Sequence, residues 1–302
     1  VVSSLVVSLV DWRWLFCIPL LILFTLPFYL KYLGDEEGNK RSLDWLGGGL
    51  LGLTVAQTLL AVTNDMVWLL GGIVTLLLFI LRIRLAKHPF IKPELFKNKQ
   101  YTSHLVLAFF VTGIGYSFFF LSPLLFASVH ELPVSIIGLA MVPATAAAAI
   151  LNRKGGKIAD SKGTPYLFFI ASSLLIASFF LLSTFINVNA VYIAVFLILG
   201  NVGQSFIMIV MSKTVSLTLP KESSGVGMGL LMMQNFIAGS IGIGIYGRAI
   251  DTQMSQAWNP LLQSSNGAIF SNIFFVLFLL HIVILFLYKF KIDGSARTTI
   301  DP

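Results

Sequence analysis

Apolar blocks of about 20 residues, separated by short polar breaks, run through this chain from end to end, and that repetition constrains the fold more than any motif. A helical residue rises about 1.5 Å, so each block matches a hydrocarbon layer about 30 Å thick. An ordinary soluble domain is about a quarter charged. Here 57% of 302 residues are hydrophobic and 11% charged, which lipid as the solvent accounts for. The apolar runs predict nine helices, at 14–31, 43–63, 66–82, 102–128, 134–152, 165–186, 190–212, 225–248 and 268–289. The expected class is all-α integral membrane, with about nine transmembrane helices and the lipid bilayer as first partner.

A net charge of +7 could point to nucleic acid, but the basic residues sit in short stretches between apolar blocks and form no single basic face. Their distribution is topological instead. With nine spans the loops alternate sides, and of the 20 lysines and arginines all but Arg13 and Arg248 fall on one side. A miscount of one span would invert every later loop and destroy that asymmetry. The positive-inside rule makes the basic side cytoplasmic, with Val1 outside and the C-terminus inside a multi-pass cell-membrane protein.

Two cytoplasmic stretches are longer than the rest: 31–42, with its Gly-Asp-Glu-Glu-Gly-Asn run, and 82–101, with Pro89 and Pro93. They bracket the second and third spans, which read as a detachable hairpin. The expected division is therefore 1–42, the trailing end of an N-terminal bundle; 43–100, an inserted two-helix hairpin and linker; and 101–302, a six-span bundle. The longest outer loop, about 250–267, is too short to bury a core of its own. Val1 to Val10 is expected to be the exit end of an earlier span.

After the fifth span comes Arg153-Lys-Gly-Gly-Lys-Ile-Ala-Asp160-Ser-Lys-Gly163, a G-x-x-x-D-x-x-G pattern read as a loop between two helices on the basic side. Asp11-Trp-Arg-Trp-Leu-Phe precedes the first span, Pro89-Phe-Ile-Lys-Pro-Glu-Leu-Phe-Lys-Asn leads into the fourth, and Pro220-Lys-Glu-Ser-Ser-Gly-Val-Gly-Met-Gly opens the eighth. In type, order and position these segments resemble the fourteen-span drug:proton antiporter branch of the major facilitator superfamily, as found in Gram-positive tetracycline and multidrug efflux proteins. The hairpin is the feature that separates fourteen-span from twelve-span members. The resemblance implies efflux of a small amphiphilic substrate by proton antiport, a gating role for Gly156, Asp160 and Gly163, and a missing N-terminal bundle of five further spans. A sugar or organic-acid carrier of the same superfamily is the alternative.

The residues themselves give candidates for the cargo path. Asn201, Gln204, Met208 and Met211 recur at three- and four-residue spacing in the seventh span and share one face. Met228, Met232, Asn235, Gly239 and Gly242 repeat the device in the eighth, and Thr112, Tyr116, Phe119 and Pro123 supply the fourth. Amides facing lipid are costly, so these faces look inward. Methionines and flat rings suit bulky amphiphiles. Helix packing through small residues explains the same pattern without a ligand. Asp160 reads either as a latch that pairs with a basic side chain or as a solvated turn residue, and Gly155 and Gly156 as a close approach of backbones. The seven glycines of the eighth span, from Gly225 to Gly247, serve packing or flexing. His281, near the middle of the last span, is either proton-linked or hydrogen-bonded and neutral. His88, His104 and His130 lie near membrane surfaces. Gly113-Ile-Gly115 and Gly47 to Gly49 read as helix contacts.

An enzyme would need paired carboxylates, a His-Glu metal motif or a Ser-His couple at helical spacing, and an ATP-driven pump would need G-x-x-x-x-G-K-[ST]. The sequence carries none of these, so no enzyme, cofactor or metal site is expected. Cys17 is the one cysteine. No Asp or Glu lies deep in a predicted span, which places the coupling acid for protons in the missing bundle.

Overall fold

The computed structural model describes residues 11–32, 44–87, 89–91, 93–220, 223–252, 258–260, 262 and 267–293. His88, the acidic run at 34–39, Lys221 and Glu222 lie outside them. Nine α-helices follow in order: α1 (Leu26–Tyr32), α2 (Trp45–Thr63), α3 (Val67–Leu85), α4 (Lys99–Ser128), α5 (Val134–Ser161), α6 (Thr164–Thr184), α7 (Ala190–Leu217), α8 (Ser224–Asp251) and α9 (Ala268–Leu287). A 3₁₀ helix, Trp12–Thr25, leads into α1, and a shorter one, Pro93–Lys97, leads into α4. Helices α2 to α9 are each long and apolar enough to cross a membrane; the apolar stretch Pro19–Tyr32 is shorter.

Local chemistry starts these helices where the polar breaks end. Asn98 caps α4 by accepting from the N–H groups of Gln100 and Tyr101, and Asn189 caps α7 by accepting from Val191. Gly163 takes φ +88°, a conformation that disfavours any side chain, and Pro165 fixes the first turn of α6 beyond it. Within the spans, hydroxyls return their hydrogen bonds to the preceding turn, as Thr58 does to Thr54 and Ser173 to Phe169. Such back-bonding satisfies a polar group without needing water.

Contacts between helix ends show an alternating bundle. At one end Asn98 donates to the Thr218 carbonyl, Tyr101 to that of Gly227, and Lys213 pairs with Asp160. At the other, His130 meets the Ile186 carbonyl, Asn259 donates to that of Ser183, and Arg248 donates to that of Asn64. The described basic side chains other than Arg248 that make interhelix bonds, Arg82 and Lys213, thus share the first end. The core lies among α4, α6, α7 and α9, where Phe118 stacks on Phe179 at 4.8 Å and Phe179 reaches Phe274. Every residue of the first helix whose side chain is described is exposed.

The hairpin is fastened at both ends. Asp44, its side chain 2% exposed, caps α2 through the Gly47 N–H and takes two bonds from the Arg82 guanidinium at the end of α3. It also accepts from the Phe90 N–H in the linker. The Gly47 N–H foremost, then Arg82 and Phe90, hold this carboxyl below the usual aspartate range against the opposing effect of burial. At the far end Gly244 of α8 admits Val62 of α2: a Cβ there would stand 2.6 Å from a valine methyl.

Four helices outrun their predicted ends, α3 to Leu85 and α8 to Asp251 by less than a turn and two others by more. Helix α5 continues from 152 to Ser161 and α7 from 212 to Leu217. Hydropathy marks where a helix leaves lipid; the backbone ladder continues through residues whose side chains are already in water.

Candidate functional site

Residues 112–116 of α4 form the middle of the candidate site, and both neighbouring helices bring polar groups to them. From α8, Asn235 accepts from the Thr112 hydroxyl at 3.0 Å. Gly239 lies beneath the Tyr116 ring, where a Cβ would come within 2.6 Å of it. From α7, the Gln204 amide covers Gly115 so closely that a Cβ would stand 2.0 Å from Cδ. Gln204 is 7% exposed, and neither end of its amide has a hydrogen-bond partner among the described residues. Asn201, one turn earlier on that face, donates to the Leu197 carbonyl of its own helix.

The α4–α8 contact is more polar than the sequence suggested. Gln234 donates to the Leu105 carbonyl at 2.6 Å and Tyr246 to that of Gly113 at 2.8 Å, both across the helix pair. Gly242 sits on the Gly113 carbonyl, 2.8 Å from where its Cβ would be. Gly113 and Gly115 are helix contacts, as read. The glycines of α8 divide: Gly227, Gly239, Gly242 and Gly244 are held by packing, while Gly225 and Gly229 face open space. An apolar groove of about 450 Å³ opens between α4, α8 and α9, bordered by Phe109, Ile241, Trp258 and Val276.

Not every candidate joins this centre. Met232 is 60% exposed. Met208 faces a separate groove with Ser205 and Lys213. His281 is fully buried in α9 against Phe179, and neither ring nitrogen has a hydrogen-bond partner among the described residues. His104 is buried and bonded to the Gln100 carbonyl.

The G-x-x-x-D-x-x-G segment is mostly helix. Gly156 and Asp160 ride on the last turns of α5, and Gly163 alone makes the turn. The close approach is made by Gly155, where Phe206 of α7 would be 2.7 Å from a Cβ; Gly156 has nothing within 4 Å. Asp160 does pair with a basic side chain: Lys213 of α7 donates to it at 2.5 Å and to the Ala159 carbonyl at 3.1 Å.

Comparison with known proteins fits this arrangement. The sequence model of the Major Facilitator Superfamily matches residues 1–243. The chain belongs to that superfamily. Among curated relatives, the quinolone resistance proteins NorB of Staphylococcus aureus strains MRSA252 and JH9 are each 25% identical over 266 residues, covering 80% of this chain. The chain spans 56% of the length of those relatives. The superfamily is one of membrane carriers, not enzymes, and a bundle of apolar helices with amides at its helix contacts is what this facilitator chain presents. Sequence reasoning missed Gln234, Lys213 and the Asp44–Arg82 pair. Each acts through a partner far along the chain, and the one local signal was a polar residue at a helix end or on a buried face.

Proposed function

We propose that the chain is the C-terminal portion of a drug:proton antiporter of the fourteen-span type, exporting an amphiphilic compound from the cytoplasm. The observation that carries this reading is the buried Gln204 amide of α7 over Gly115, with Asn235 of α8 on Thr112 and Tyr116 on the same stretch of α4. An unpartnered amide in a membrane core is expensive and is kept where a ligand or a second conformation satisfies it. The drug-efflux direction is supported by the relatives named for quinolone resistance. Asp160 and Lys213 form the gate pair on the cytoplasmic side, orientation following from the basic asymmetry. The exposed first helix fits a span whose own bundle precedes it.

The test is expression of the complete transporter in a drug-hypersensitive bacterium. Lowered accumulation of amphiphilic drugs, reversed by a protonophore, is expected. Accumulation unchanged for every drug, with sugar or organic-acid uptake raised instead, contradicts export.

A further inference from the structure

Between α5, α7 and α8 runs a groove of about 720 Å³ that the candidate site does not use, bordered by Asn152, Ser205, Met208, Ser212, Lys213 and Met228. Ser205, Met208, Ser212 and Ser216 fall on one side of α7 at helical spacing, so a stripe of hydroxyls follows the groove. Ser205 donates to the Asn152 Oδ1 at 2.9 Å, which occupies the acceptor of that amide. Among the described residues, Lys213 is the one charged residue bordering the groove. Its ammonium has three N–H donors. Two are used, on Asp160 and on the Ala159 carbonyl. The third remains, and Lys213 keeps 33% of its side chain exposed. The groove therefore offers donors and one positive charge beside the soft apolar surfaces of Met208 and Met228.

We propose that this groove binds an amphiphile with an anionic head, a carboxylate, which Lys213 receives while the methionines hold its apolar body. The proposal names the cargo class within the export reading and rests on it. Its charge complement is single and sits at the helix ends, so it needs no ionised group at mid-membrane. Asp160 is 75% exposed, and an ion pair of such exposure is weak, so an incoming carboxylate competes with it on near-equal terms. Cargo binding thereby loosens the tie between α5 and α7. Loading and gate release become one event.

The experiment uses the complete transporter, purified in detergent and titrated calorimetrically with 1-naphthylacetate and with its methyl ester, which keeps the ring and lacks the charge. The carboxylate binds at least about tenfold tighter than the ester, the value of a hydrogen bond to a charged group. Lys213→Gln removes that preference while ester affinity stays within about twofold, which also shows that the variant is folded. Lys213→Arg keeps the preference, and Asp160→Asn strengthens carboxylate binding because the competitor is gone. Equal affinities in the unaltered transporter, a preference that survives Lys213→Gln, or weaker carboxylate binding in Asp160→Asn overturns the proposal. So does failure of both probes to bind, the outcome if another segment of the longer protein fills the groove. Drug accumulation in cells separates the two readings: export without carboxylate preference defeats this site alone, and preference without export defeats the export reading alone.

Discussion

Gly242 and Gly229 lie on the same helix and differ only in what surrounds them. A methyl at Gly242 would meet the Gly113 carbonyl, a backbone atom that cannot rotate away, whereas Gly229 has open space. Gly242→Ala is expected to lower stability by about 1–3 kcal/mol through overpacking, and Gly229→Ala to leave it unchanged or slightly raised. Thermal unfolding of the purified protein reads both; equal effects would assign the glycines of α8 to flexing. Asn201→Leu, Gln204→Leu and Asn235→Leu are expected to change which drugs are exported more than they change protein abundance. Loss of all substrates together with folded protein would make these amides packing residues. His281 is buried with no hydrogen-bond partner among the described residues, so His281→Leu removes a desolvation cost and is expected to keep the protein folded and the pH profile of transport unaltered. A profile that flattens in this variant would make His281 the proton-linked group.

At the scale of elements, α5 and α7 are joined by Asp160 and Lys213 at one end and by Ser205 and Asn152 further in. An ion pair that exists in one state contributes to the difference between states and little to the ligand. Asp160→Asn in the complete transporter is therefore expected to slow turnover several-fold without weakening the binding of exported drugs. Unchanged vesicle transport would reduce the pair to a surface contact. The hairpin depends on Asp44, whose carboxyl is held ionised by the Gly47 N–H, Arg82 and Phe90. A lowered folded value means a stabilisation complete above the ordinary aspartate value near pH 4 and lost as pH falls through the folded one. Protection of the α2 amides against hydrogen exchange, taken relative to the intrinsic rate at each pH, should be high at neutral pH and fall below about pH 4, and in Asp44→Asn it should be low at both. Helix existence was legible from hydropathy because lipid imposes it residue by residue. The Asp44–Arg82 and Asp160–Lys213 pairs were not, because their members are 38 and 53 positions apart and nothing local distinguishes the chosen lysine or arginine from its neighbours.

For the whole molecule, the sequence pattern and the bundle agree on alternation, since contacts place Arg82 and Lys213 at one end and Arg248 at the other, as the loop count did. The candidate site was legible in part: Gln204, Asn235 and Tyr116 meet at α4, but Met232 points outward because an apolar residue in lipid is at home on either face. On the proposed orientation, with the basic side cytoplasmic, a cysteine placed at Lys162 should resist an impermeant reagent applied to intact cells. Ready labelling from outside would invert the bundle. Proton coupling requires an ionisable group whose proton affinity differs between inward and outward states, and alternating access rocks one bundle against another about the cargo. On the proposed reading this chain supplies one bundle and a hairpin. The most direct measurement is reconstitution in proteoliposomes with an imposed pH gradient, comparing this 302-residue chain with the complete transporter. Protonophore-sensitive drug accumulation by the complete transporter and none by the chain alone is the predicted result; gradient-driven accumulation by the chain alone would contradict it.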